Sequence, residues 1–217
     1  MDANQLIDGL LWWLGLVVLL TFHEFGHAWM ALRCGDDTAQ QEGRVSLNPL
    51  VHIDPIGTVL VPLIMLFMSA HSPGSGAFLL GWARPVPVNI HNLNRPRTDD
   101  MLVTFAGPFM NFILGVVLIG LARVASGSTM VSDAALDMAH LSLFLCVFNL
   151  IPIPPLDGSQ ILRAVTSMSY ENYREFARYG FLILFVVVQI PLVQEVLQTV
   201  TNHLFISICR ALGVGGW

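Results

Sequence analysis

The sequence predicts an all-α polytopic membrane protein: a helical bundle with one helix broken at a polar site, carrying a short re-entrant or strand-like hairpin insertion. Three observations predict it. Charged residues make up only 12% of the 217 residues and hydrophobic ones 54%, whereas a soluble domain carries roughly 25% charge. Four apolar stretches approach the roughly 20 residues that a helix needs to cross a hydrocarbon core. The ionisable side chains inside those stretches are few, and three of them, His23, Glu24 and His27, fall together near the end of the first. The same composition excludes other classes. There is no lysine, and ten arginines face fifteen acids for a net charge of −5, so the basic stripe of a nucleic-acid binder is missing. Cys34, Cys146 and Cys209 are too few and too scattered for a disulfide framework or a Cys-based metal site.

The apolar stretches are 5–33, 99–123, 134–151 and 176–198. The first is expected to be a mature membrane helix rather than a cleaved leader, because its flank carries Asp2 and Asp8 and no arginine. A shorter stretch, 56–70, contains Pro62 and spans only marginally. A Pro/Gly/Ser turn at 71–76 follows it, and then Gly81–Asn89, whose alternation and prolines predict an extended edge segment. Within it, Arg84 to Asn89 is a candidate to hold an unwound substrate by strand addition. Residues 191–212 mix apolar and polar side chains and predict an amphipathic interfacial helix. No linker or repeat divides the chain, so residues 1–217 are expected to form a single membrane-embedded domain. Its motifs lie within 6–165, and C-terminal helices follow over 170–217.

The first helix ends in Thr21-Phe22-His23-Glu24-Phe25-Gly26-His27, an HExxH pattern. On a helix His23 and His27 stand one turn apart on one face, so two imidazoles can bind one zinc, with Glu24 beside them to take a proton from activated water. Ionisable groups in a membrane helix are costly, which marks this cluster as functional. A catalytic zinc takes three protein ligands and keeps one position open. The third candidate is Asp157, which follows the proline break Asn149-Leu150-Ile151-Pro152-Ile153-Pro154-Pro155-Leu156 and opens a new helix over 158–165. A broken membrane helix is tolerated only where protein or a polar cavity satisfies its freed backbone. Arg33 lies six residues after His27 and Arg163 six after Asp157, so arginines on a shared face would put the three ligands at similar depth.

These motifs resemble those of the site-2 proteases, intramembrane zinc metalloproteases with an HExxH helix, a middle helix bearing AGPxxN, and a later NxxPxPxLDG segment. Here they read His23 to His27, Ala106-Gly107-Pro108-Phe109-Met110-Asn111, and Asn149 to Gly158, in the same order. The resemblance spans residues 6–165. It implies one zinc held by His23, His27 and Asp157, Glu24 as general base, and Asn149 as a substrate-positioning donor. It also implies an active site toward the cytosol, and a substrate that is the transmembrane helix of another membrane protein and must unwind locally. The chain departs from many relatives in having no room for a PDZ or CBS domain. Gating then falls to the core, to a regulatory membrane partner or to a homo-oligomer. It also has an insertion, residues 45–89, containing Asn48-Pro49-Leu50-Val51-His52-Ile53-Asp54-Pro55. His52 and Asp54 there are either auxiliary ligands to the metal or ordinary hydrogen-bonded groups of a polar loop.

Charge counting tests the topology. If residues 56–82 leave and return on one face, eight of the ten arginines share the HExxH side, whereas a full crossing divides them six to four. The positive-inside rule therefore favours the hairpin, with the N-terminus outside and the site toward the cytosol, in a multi-pass protein of the plasma membrane. Two other classes of function compete with proteolysis: a membrane metal-handling protein using the same ligands, which leaves Glu24 without a task, and a catalytically inactive scaffold that binds helices.

Overall fold

The computed structural model describes residues 3–64, 81–166 and 168–215. Helix α1 (Ala3–Arg33) is followed by a short turn of helix, α2 (Thr38–Gln41). Next comes α3 (Pro55–Ile64), which opens as a π-helical turn over Pro55–Leu60. Residues 81–92 lead to α4 (Pro96–Val124) and α5 (Thr129–Asn149). After the proline break come α6 (Asp157–Thr166), α7 (Tyr170–Arg178), α8 (Gly180–Val187) and α9 (Pro191–Ala211). Among the described residues there is no β-strand.

α4 is the centre of the bundle, with α1, α5 and α6 packed against it, and α9 closes on α5. Without a hydrophobic force between helices in lipid, close approach depends on small residues. Gly26 of α1 is one: a Cβ there would lie 2.6 Å from the Ala106 carbonyl of α4. Gly115 faces Leu143 in the same way across the α4–α5 contact. Further along, Ile119, Ala139, Leu143, Phe205 and Cys209 form a buried cluster of α4, α5 and α9. The outer face of α4 carries Phe105, Phe109, Ile113, Val117 and Leu121, all exposed and four residues apart, as a lipid-facing stripe requires.

Gly9–Arg33, α4 and α5 are long and apolar enough to cross a membrane; α8 and α9 make a fourth span only if counted together, and they are bent by 82° at their junction. The expected single span at 176–198 is therefore corrected. Pro191 stands at the first position of α9, where its missing N–H suits a helix start but cannot continue the helix before it. The helix expected at 191–212 is present as α9, and it buries Leu197, Thr201, Phe205 and Cys209 along one face.

α1 stops at Gly35, whose φ of +102° supports a Schellman turn with Asp36 N–H donating to the Ala31 carbonyl at 2.9 Å. The Cys34 carbonyl accepts from the Asn94 N–H at 2.9 Å and from its side-chain amide at 2.7 Å. The end of α1 and the start of α4 thus lie side by side. At the base of the excursion, Trp82 N–H donates to the Gly57 carbonyl at 3.3 Å, and Thr58 Oγ1 to the Trp82 carbonyl at 2.7 Å. The chain therefore returns beside its point of departure, as a re-entrant hairpin requires. Residues 65–80, including the turn expected at 71–76, lie outside the described residues. Arg163, near the end of α6, pairs with the buried Asp100 near the start of α4 and lies 4.7 Å over the Tyr170 ring, so α6 ends on that same face.

Candidate metal centre

The last turns of α1 present His23 and His27 with ring centroids 4.7 Å apart and planes nearly perpendicular. Their Nε2 atoms are 3.1 Å apart. Asp157, in the first turn of α6, places Oδ2 at 3.2 Å from His23 Nε2 and 3.4 Å from His27 Nε2. The proline break makes this placement possible. It ends α5 early, includes a cis peptide bond between Pro154 and Pro155, and turns the chain so that α6 starts beneath the end of α5. Gly158 allows the fit, since a Cβ there would overlap the Leu150 and Ile151 carbonyls.

Each histidine has its other nitrogen occupied. His27 Nδ1 is 2.8 Å from the Val103 carbonyl, which can only accept, so the proton sits on Nδ1 and the Nε2 lone pair points at Asp157. Pro108, a proline inside α4, lacks the N–H that would donate to the Thr104 carbonyl, and so loosens the helix one residue after the Val103 carbonyl that His27 uses. The His23 Nδ1 lies 3.3 Å from the side-chain amide of Asn111. Asn111 is fully buried and its Oδ1 has no partner among the described residues. Rotating the amide by 180° gives that oxygen the His23 Nδ1 proton and frees Nε2 as a ligand.

The donor set fits a metal. Two imidazole lone pairs and a carboxylate oxygen facing one another within 3.1–3.4 Å repel unless a cation lies among them. Donors bound at about 2.0–2.1 Å in tetrahedral geometry stand about 3.3–3.4 Å apart. Gly107 keeps the space open, because a Cβ there would overlap His27 Nε2 and come within 2.8 Å of His23 Cε1. Among the described residues this is the one group of three or more His, Cys, Asp or Glu side chains able to hold a metal.

Glu24 lies next to the group in the chain and is buried, and its Oε2 accepts the Val86 N–H at 3.1 Å. Val86 belongs to the extended segment 81–89. Parity along that segment turns the N–H groups of Trp82, Arg84 and Val86 inward, where Gly57, His52 and Glu24 accept them. Pro85 and Pro87 lie on the other parity and have no N–H. Over 84–89 the outer edge therefore has no free N–H among the described residues, because the Asn89 N–H is held by Asp36 Oδ2. It lacks the donors that strand addition needs, which corrects the expectation that it receives a substrate strand.

The other expected site residues are placed differently. Asn149 ends α5 and its amide donates to the Leu145 carbonyl at 2.9 Å. His52 is 2% exposed and its Nε2 meets the Ser46 carbonyl at 2.8 Å; burial holds its pKa below the ordinary value, against the opposing effects of that bond and of Glu24. Asp54 caps α3 by accepting from the Ile56 and Gly57 N–H groups. Neither joins His23, His27 and Asp157, and both are accounted for as hydrogen-bonded loop groups. Val86 was not found from the sequence, because a backbone N–H leaves no residue-type signal.

Fold and site together define a membrane-embedded helical protein with an inward-facing His/His/carboxylate group beside a buried glutamate. The chain belongs to peptidase family M50, whose model matches residues 12–138 and 122–190. It is 36% identical over 197 residues to YwhC of Bacillus subtilis, a candidate zinc metalloprotease, covering 86% of this chain and 84% of that one. It is 30% identical over 184 residues to Rip2 of Mycolicibacterium smegmatis, also a candidate zinc metalloprotease, covering 82% of this chain and 66% of that one. The zinc metalloprotease MJ0392 of Methanocaldococcus jannaschii matches over 75 residues at 35% identity, which is 35% of this chain and 22% of its own length. No solved structure matches the chain at a significant level. The protein is thus a zinc metalloprotease of the membrane, the resemblance to site-2 proteases holds, and a metal-transport role is set aside.

Proposed function

We propose that this protein is an intramembrane endopeptidase that cleaves the transmembrane segments of other membrane proteins. In this reading His23, His27 and Asp157 hold one zinc ion, and Glu24 is the general base. The observation that carries it is the convergence of the two Nε2 atoms and Asp157 Oδ2 within 3.1–3.4 Å, at the junction of a membrane helix with a broken one.

Zinc bound there supplies Lewis acidity, which lowers the pKa of water to near neutrality and polarises a carbonyl. The chain's own residues do the rest. Val103 and Asn111 fix both imidazoles with their Nε2 atoms facing inward. Glu24 receives the proton of the attacking water on the oxygen not held by Val86 and passes it to the leaving nitrogen. Asn149 turns its amide from Leu145 to the substrate carbonyl. A transmembrane substrate has every backbone group paired, so it unwinds locally before cleavage. The whole chain acts as one domain in the plasma membrane, with the site toward the cytosol, because the hairpin gathers most of the arginines on the site's face.

The test uses purified protein in proteoliposomes with a transmembrane substrate. Chelation should abolish cleavage and zinc should restore it. Asp157→Asn should lower zinc affinity by more than the 10–100-fold that loss of an outer hydrogen bond costs; full zinc occupancy in that variant would remove Asp157 from the ligand set. For orientation, a cysteine placed at Arg97 should react with an impermeant thiol reagent in inverted membrane vesicles, whose cytosolic side faces outward, and not in whole cells. Labelling of whole cells at that position would reverse the assigned topology.

A further inference from the structure

The loop before α3 and the extended segment 81–89 form one device. Arg44 is buried, at 4% exposure. Its Nη2 donates to the Arg84 carbonyl at 2.7 Å and the Pro85 carbonyl at 2.8 Å. The Arg84 N–H is itself held by the His52 carbonyl at 2.8 Å. These contacts fix the peptide that immediately precedes Val86, whose N–H reaches Glu24 Oε2 at 3.1 Å. Pro85 and Pro87 restrict φ on both sides of that residue. The Asn89 N–H is tied to Asp36 Oδ2 at 2.7 Å, so the segment is anchored beyond Val86 as well.

We propose that Arg44 is a positioning residue for Glu24. It acts through the 84–86 backbone to set the Val86 N–H against Oε2, leaving Oε1 as the oxygen that exchanges a proton. This deepens the reading of Glu24 as base and rests on it. A carboxylate that shuttles a proton must present one oxygen in a fixed direction, and its rotation about the last bond is otherwise broad. One N–H on one oxygen removes that freedom and leaves the other oxygen unhindered. Two further facts point to Arg44 as more than packing. Its Nε and Nη1 have no partner among the described residues, so the buried charge is not neutralised by a contact ion pair, an arrangement that is costly for stability alone. Glu24 is one of the acids whose field acts on that charge. The loop sequence around His52 then gains a purpose: it is the cradle that holds the segment in register with Glu24.

Hydrogen–deuterium exchange on the zinc-loaded full chain in lipid nanodiscs tests the contact directly. Val86 is flanked by two prolines, so its amide is resolved from its neighbours. Glu24→Ala and Arg44→Met should each speed its exchange by about tenfold or more, as loss of a hydrogen bond to a charged acceptor predicts. In parallel, Val86→Pro deletes the single N–H, and both it and Arg44→Met should lower kcat by about tenfold or more, the scale of impaired proton transfer, at unchanged KM and zinc content. Arg44→Lys should recover part of the loss. Wild-type exchange at Val86 in Arg44→Met overturns the proposal, and so does a wild-type kcat in Val86→Pro or an effect confined to KM or zinc content. Should Val86→Pro fail to fold, the exchange measurement still decides. Cleavage by Glu24→Gln is the separate check on the base itself: if it persists, the base reading fails, whereas loss there with normal cleavage in Arg44→Met and Val86→Pro sinks only the positioning role.

Discussion

Replacing Glu24 by glutamine is expected to lower cleavage of a transmembrane substrate by about 10²–10⁴-fold, the usual contribution of a general base, with one zinc per chain retained. The substitution keeps the side chain's size and an oxygen able to accept the Val86 N–H, which now lies 3.1 Å from Glu24 Oε2. It removes only the capacity to take a proton. Because His23, His27 and Asp157 are untouched, metal analysis separates this outcome from damage to the site. Cleavage at the wild-type rate with full zinc would show that the proton goes elsewhere.

The second large effect is expected from one methyl group. Gly107→Ala should reduce zinc occupancy to below about a tenth of wild type and abolish cleavage, while leaving the helix content unchanged. Alanine is a better helix former than glycine by about 1 kcal/mol, so α4 itself has nothing to lose. The new Cβ, however, would occupy the space of His27 Nε2 and approach His23 Cε1 to 2.8 Å, displacing both imidazoles from the metal position. Gly120→Ala is the control in the same helix, since its Cβ would meet nothing within 4 Å. Zinc measurement with circular dichroism on both variants checks the prediction. Normal zinc occupancy in Gly107→Ala would mean that the helices part without moving the ligands.

What could be read from the sequence was what is local. One helical turn puts His23 beside His27 whatever the rest of the chain does, and three prolines announce a broken helix before Asp157. Apolar length gave α1, α4 and α5 to within a few residues at most ends. The failures share a cause. The junction of α8 and α9 was read through Pro191 as one span because apolar length ignores the N–H that proline lacks. The strand-addition role for 84–89 came from alternation, which says which residues share an edge but not that Glu24 and His52 already occupy its donors. Gly107 and Asn111 stood out as parts of a motif, yet their task is set by α1, some 80 residues away in sequence, and no spacing rule crosses that distance. Val86 was invisible for the plainest reason: any residue but proline could supply its N–H.

The pairing of Gly57 with Trp82 at the foot of the excursion bears on how such a chain can change length. Once two chain positions are held together by the surrounding fold, the entropy of closing the loop between them rises only with the logarithm of its length, about 0.6 kcal/mol per doubling. The 16 residues between Ile64 and Gly81 could therefore be exchanged for a longer segment, even a folded module, at small cost to the bundle and without moving His23, His27 or Asp157. The foot of the hairpin is in that sense a socket, where the length of the insert is thermodynamically almost free and the geometry of the metal group is insulated from it.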